Sequence, residues 1–114
     1  MQLSFTEGAD GIRRINLAGK LDDVGVREIE TSFAGHCAGE RVRVLVDLSG
    51  VDFMASIGIR LLVVSSRSVA AHGGKLVLLN PNPLVRNIFD VADISALIPI
   101  YSDLQSAEAA LEVL

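Results

Sequence analysis

Apolar and polar positions along the chain change period several times, and each change predicts an element. The opening "QLSFTEGADGIRRINLAG" reads as strand, turn and strand: Asp10-Gly11 is a turn signal, and Ile12, Ile15 and Leu17 follow with partial alternation. Gly19 to Gly25 is a loop holding Lys20, Asp22 and Asp23. Val26, Ile29, Phe33 and Cys37 then recur at helical spacing, with Glu28 and Glu30 on other faces and Gly35 and Gly39 weakening the end. "VRVLVDLS" is rich in β-branched residues and suits an inner strand covered on both faces. From Ser56 to His72 the apolar residues Ile57, Ile59, Leu61, Leu62, Val63, Val64 and Val69 lie nearly all round a helix. That pattern predicts a heavily buried helix, stopped by "HGG". "KLVLL" is the next strand. In "NPNP", Asn82 caps a helix with Pro83 at its first position, and Leu84, Val85, Ile88, Phe89 and Ala92 form one apolar stripe. "ALIPIY" is a short strand whose proline implies an edge or an end. The last helix opens on the capping-box pattern Ser102 to Gln105 and has Leu104, Ala107, Leu111 and Leu114 as its apolar face.

After the opening hairpin the order is helix, strand, helix, strand, helix, strand, helix. Such alternation implies a partly parallel sheet with right-handed crossovers. The 114 residues contain no linker, repeat or low-complexity segment. The expectation is one α/β domain over residues 1–114: a mixed sheet of about five strands, about four α-helices and an N-terminal β-hairpin. A chain this long buries roughly two thirds of its unfolded surface. Aromatic residues are few, so the core is built mostly from Leu, Ile, Val and Ala.

Charge removes several classes of function. The net charge is -4 and the ten basic residues are scattered, so there is no cationic face for nucleic acid. Arg60 and Arg67 interrupt the most apolar region, which excludes a bilayer span. The first twenty residues hold Glu7, Asp10, Arg13 and Arg14 and do not read as a signal peptide. Cys37 is the single cysteine, which fits a reducing compartment. A soluble, cytoplasmic protein is expected.

Candidate chemistry is sparse. His36 and His72 have no ligand partners at useful spacing and read as surface histidines near helix ends. His72 lies sixteen residues beyond Ser56 on one helix, or roughly 24 Å at 1.5 Å per residue, too far to act as its base. No nucleophile elbow or phosphate-cradling loop is present. Cys37 sits on an apolar stripe and reads as a packed thiol. Asp47 is expected to end its strand and bond the amides of Ser49 to Val51. A response-regulator phosphoacceptor there would need an acidic pair after the first strand and a lysine ending a late one. Asp22 and Asp23 instead follow the second strand, and Lys75 begins its strand. What remains is Ser56. As an N-cap it would contribute about 1 kcal/mol. Capping does not account for Gly58, since glycine in a first turn costs about 1 kcal/mol against alanine unless the backbone is closely approached. A hydroxyl presented at a helix start is good ground for a phosphoserine, because that end favours an added anion.

The stretch "VLVDLSGVDFMASIGIRLLV" resembles the signature of STAS domains, the anti-sigma factor antagonists of bacteria. That signature is a strand ending in Asp-Leu-Ser, an apolar-x-Phe-Met, and Asp-Ser-Ser/Thr-Gly opening a buried helix. "LAGKLDD", "HGGKLVLLNPNPLVRNIFDVADI" and "IPIYSDLQSAEAAL" also look like the family. The resemblance implies a STAS-like fold without catalytic activity or cofactor. It implies a partner that is both anti-sigma factor and serine kinase, of GHKL type, and a phosphatase as a further partner. By position the phosphorylated serine is Ser56, Gly58 is the signature glycine, and Asp22 is the loop aspartate that contacts the kinase. Asp23, Ala55, Ile57 and Arg60 complete the expected partner surface. Two positions depart from the pattern: the aspartate before the serine is Ala55, and the Ser/Thr after it is Ile57. The other role the resemblance allows is an unphosphorylated STAS subunit of another assembly, such as an ABC-type lipid transport complex.

Overall fold

A computed structural model describes residues 1–113. Strands β1 (Gln2–Glu7) and β2 (Ile12–Leu21) form the expected hairpin, antiparallel, with Phe5 opposite Ile15. Its turn is closed by the Asp10 carboxylate, which accepts from the Ile12 amide at 3.0 Å, and by Gly11 at φ 77°. Then follow α1 (Asp23–Cys37), β3 (Arg43–Met54), α2 (Ser56–Ala71), β4 (Lys75–Leu79), α3 (Pro83–Val91), a single 3-10 turn (Ile94–Ala96), β5 (Ile100–Tyr101) and α4 (Leu104–Glu112). The five strands lie in the order β1-β2-β3-β4-β5. β2 to β5 are parallel and only β1 runs against its neighbour, so the sheet is mixed.

Alternate residues of the inner strands feed two cores. Val44, Val46, Leu48, Leu76 and Leu78 pack with Val26, Ile29 and Phe33 of α1, Leu62 and Val69 of α2, and Val85 and Phe89 of α3. On the other face Ile12, Leu45, Val77 and Leu79 meet Ala107 and Leu111 of α4. Burial on both faces is why "VRVLV" and "KLVLL" read as continuous apolar runs.

Several boundaries move from their sequence positions. β2 and β3 stay paired as far as Leu21 opposite Met54, so β3 extends five residues beyond "VRVLVDLS" and α1 starts at Asp23, inside the expected loop. Asp47 therefore lies within a strand; it accepts from the Ser49 amide at 2.9 Å and from the Ser49 hydroxyl, and not from a longer turn. α2 buries only Gly58, Leu62, Ser65 and Val69, while Val64 is 54% and Ile57 39% exposed. Its all-round apolar pattern thus overstates burial, because α2 meets the sheet on one side only. In α3, Leu84 and Ala92 are exposed and Val85 and Phe89 carry the contact. Asp103, not Ser102, caps α4 by accepting from the Ser106 amide, and Leu104 at its start is exposed; Leu114 lies outside the described residues. "ALIPIY" becomes the end of the 3-10 turn and a two-residue edge strand beyond Pro99. Among the described residues no helix is long and apolar enough to cross a membrane.

Candidate functional site

Parallel strands end on one rim, and α1, α2 and α3 start there on one face of the sheet while α4 starts on the other. α1 is capped by Asp22, whose carboxylate accepts from the Gly25 amide at 2.9 Å. α3 is capped by Asn82, which accepts from the Val85 amide at 2.8 Å and donates to the Val51 carbonyl at 3.0 Å, tying α3 to the end of β3. α2 has no side-chain cap: its N-cap position is Ala55, in extended conformation.

Ser56 is thus the first helical residue, one place after the position expected for it. The cause is strand pairing. The Ala55 amide still donates to the Leu21 carbonyl at 3.0 Å, so residue 55 belongs to the strand exit and the helix begins after it. Ser56 is exposed and its hydroxyl makes no hydrogen bond to the described residues. The capping role read from the sequence therefore falls away. Gly58, in contrast, is buried, and a Cβ on it would lie 2.7 Å from the Leu21 carbonyl oxygen and 2.8 Å from Met54 Sδ. A glycine there lets the first turn of α2 sit directly on the exit of β2, which is the close approach its presence in a helix start implied. Gly25 does the same for α1 against the Lys20 carbonyl.

The Leu21–Ala55 bond brings the two halves of the expected surface side by side. Asp22 follows one partner and Ser56 the other. Asp22 is half-buried and engaged as a cap; Asp23, Ile57 and Arg60 are exposed, and Ala55 is half-buried. An open groove of ≈ 320 Å³ runs between α1 and α2, lined by Val26, Glu30, Ile57, Arg60, Leu61 and Val64. Sequence reasoning missed three apolar side chains on the rim: Val24 is 56% exposed, Phe53 42% and Leu84 53%. Val24 was detectable as an apolar residue off the 26/29/33/37 stripe. Phe53 and Leu84 were not, because the length of β3 and the placement of α3 are tertiary.

The other singled-out residues serve structure. His36 stacks on Phe5 with ring centroids 3.8 Å apart, and His72 caps the end of α2, its Nδ1 lying 2.8 Å from the Ser68 carbonyl oxygen. Cys37 is buried, and that burial pushes its thiol up to about 11.

The STAS domain model matches residues 6–107, and the chain belongs to the STAS domain family. One relative, from Bordetella bronchiseptica and named as a candidate anti-sigma factor antagonist, BtrV, is 28% identical over 104 residues, covering 90% of this chain and 89% of its own. An anti-sigma F factor antagonist of Lysinibacillus sphaericus is 34% identical over 76 residues, 66% of this chain and 65% of its own. The solved anti-sigma-factor antagonist (STAS) domain protein of Planctomyces limnophilus superposes with a TM-score of 0.83 at 26% identity, covering 96% of this chain and 97% of that one.

Proposed function

We propose that this domain is an anti-sigma factor antagonist. It is not an enzyme and needs no cofactor; it acts by docking the Ser56 rim onto an anti-sigma factor in the cytoplasm. The partner is a serine kinase of GHKL type. In the switching step the Ser56 Oγ attacks the γ-phosphorus of ATP on the partner. The bond from that phosphorus to the bridging oxygen breaks, ADP leaves, and the serine proton passes to a base of the kinase. A phosphatase restores the hydroxyl with water and releases inorganic phosphate.

The observation that supports this reading is the presentation of Ser56. It stands exposed on the first turn of a helix with no cap bond, and Gly58 holds that turn against the β2 exit. Exposed Val24, Phe53, Ile57 and Leu84 supply desolvable area on the rim, while Asp23 and Arg60 supply charge. Apolar anchors among charges are what a protein partner uses. The added phosphate carries about -1.5 to -2 charges at neutral pH and is locally tolerated at a helix start. It therefore acts on the interface and leaves the fold intact.

Incubation with the cognate kinase and ATP, read by intact-mass spectrometry, tests this. One phosphate should be gained, and Ser56→Ala should abolish it. Phosphate elsewhere would overturn the assignment. Tight binding of a partner without any phosphate would favour the second reading, a docking subunit of an assembly such as an ABC-type lipid transport complex. The observation on that side is that Ala55 and Ile57 leave both neighbours of Ser56 without a polar group.

A further inference from the structure

Arg60 is a charged residue of the rim that stands without an ion-pair partner among the described residues. It is exposed on α2, and the ion pairs among the described residues join Met1–Glu28, Arg13–Glu7, Arg14–Asp10, Arg14–Glu108 and Arg86–Asp90, so Arg60 is in none of them. Glu30, across the groove on α1, is the acidic group that shares its surroundings, and the two are not within ion-pair distance. β4, which also packs on α2, faces it with Leu76 and Leu78 and carries only Lys75, at the far end of the strand. The remaining carboxylates of the rim are Asp22, Asp23 and Asp52.

Ser56 and Arg60 are four residues apart on one regular helix. Side chains at that spacing are neighbours, with Cβ atoms about 5–6 Å apart. Long helical side chains also lean back over the preceding turn, so an arginine at position 60 can bring its guanidinium over the turn that carries residue 56. A guanidinium there has the fork of donors that matches two phosphate oxygens. Ala55, just before the serine, places no carboxylate in competition.

We propose that Arg60 is the resident counter-ion of a phosphate on Ser56: once the serine is modified, Arg60 closes over the phosphate and holds it as the dianion. This rests on Ser56 being the modified residue. Arg60 thereby acts as a positioning residue, taking the phosphate as its ion-pair partner in the free protein and fixing where the added group stands on the rim.

The test installs phosphoserine at position 56 during translation, so it needs no kinase and its outcome is separate from the question of which enzyme, if any, modifies the site. The second ionisation of the phosphate is followed by phosphorus NMR between pH 4 and 8. Free phosphoserine has this pKa near 6, and a neighbouring cation lowers it by favouring the dianion. Arg60→Gln should raise it by about half a unit, the size expected of an exposed pair. Arg60→Lys should restore most of the shift. The difference should shrink at 1 M salt, where the screening length is about 3 Å. Arg67→Gln removes the same charge about 10 Å further along the helix at 1.5 Å per residue and should change the value little. Equal pKa values in the wild-type and Arg60→Gln phosphoproteins would overturn the proposal. So would equal shifts from Arg60→Gln and Arg67→Gln, which would mean net charge alone was responsible.

Discussion

Replacing Gly58 by alanine should destabilise the domain although the same change improves helix propensity. The added Cβ would stand 2.7 Å from the Leu21 carbonyl oxygen, 2.8 Å from Leu21 Cγ and 2.8 Å from Met54 Sδ. None of these is the free end of an exposed side chain. Leu21 and Met54 are buried and opposite one another in the β2–β3 pairing, and the Leu21 carbonyl accepts the Ala55 amide at 3.0 Å. Relief therefore requires α2 to lift from the sheet. Overpacking of this kind costs about 1–3 kcal/mol, and stretching the Ala55–Leu21 bond adds up to about 1 kcal/mol. Alanine returns about 1 kcal/mol through propensity. The net is a loss of up to about 3 kcal/mol, centred on about 1.5 kcal/mol, which lowers the melting temperature by about 6 °C. Gly35→Ala is the paired control: Gly35 lies in α1 with nothing within 4 Å of an added Cβ, so propensity alone acts and stability should rise by about 0.5–1 kcal/mol. Thermal and urea melts of both variants decide the matter. A Gly58→Ala domain melting at or above wild type would refute the close-approach account, as would a Gly35→Ala domain that fell as far.

Ser56→Ala should leave the melting temperature nearly unchanged, because the hydroxyl caps nothing, whereas Ser56→Asp should keep the fold and weaken the partner about a hundredfold by placing charge in an interface shaped for a hydroxyl; calorimetric titration beside thermal melts separates the two. Acid should loosen the domain through Asp10 and Asp103. Their pKa values are lowered, Asp10 chiefly by the Arg14 guanidinium and Asp103 by the Ser106 amide, so their stabilisation is complete above the usual carboxylate value and is lost as pH falls through the depressed folded one. Melts between pH 6 and 3 should show that loss, and Asp103→Asn, which keeps a capping acceptor without titrating, should flatten the α4 share of it. Cys37 should resist thiol reagents at pH 8 in the native protein and react once urea exposes it, since burial holds the thiol near 11; rapid native labelling would show that α1 opens.

Hydrophobic period and turn chemistry by themselves determined the order of elements, the hairpin, the doubly covered inner strands and the glycine at the start of α2. These are local matters: a run such as "KLVLL" or a turn such as Asp10-Gly11 carries its preference wherever it is placed. The exposed start of α2 was also legible, through a hydroxyl beside a glycine whose cost needed a reason, although the capping role given to that hydroxyl was not kept. What tertiary structure decided was where each element stops and which side of it is used. Pairing of Leu21 with Met54 extended β3, made Ala55 the strand exit and so moved Ser56 off the cap position to the first helical one. Packing on a single sheet face left Ile57 and Val64 exposed in a helix whose sequence reads as buried all round. The tie from Asn82 to Val51 drew α3 onto the rim, with Leu84 exposed at its start. Each of these outcomes depends on contacts between residues far apart in the chain, and a local pattern holds no information about a neighbour that only folding supplies.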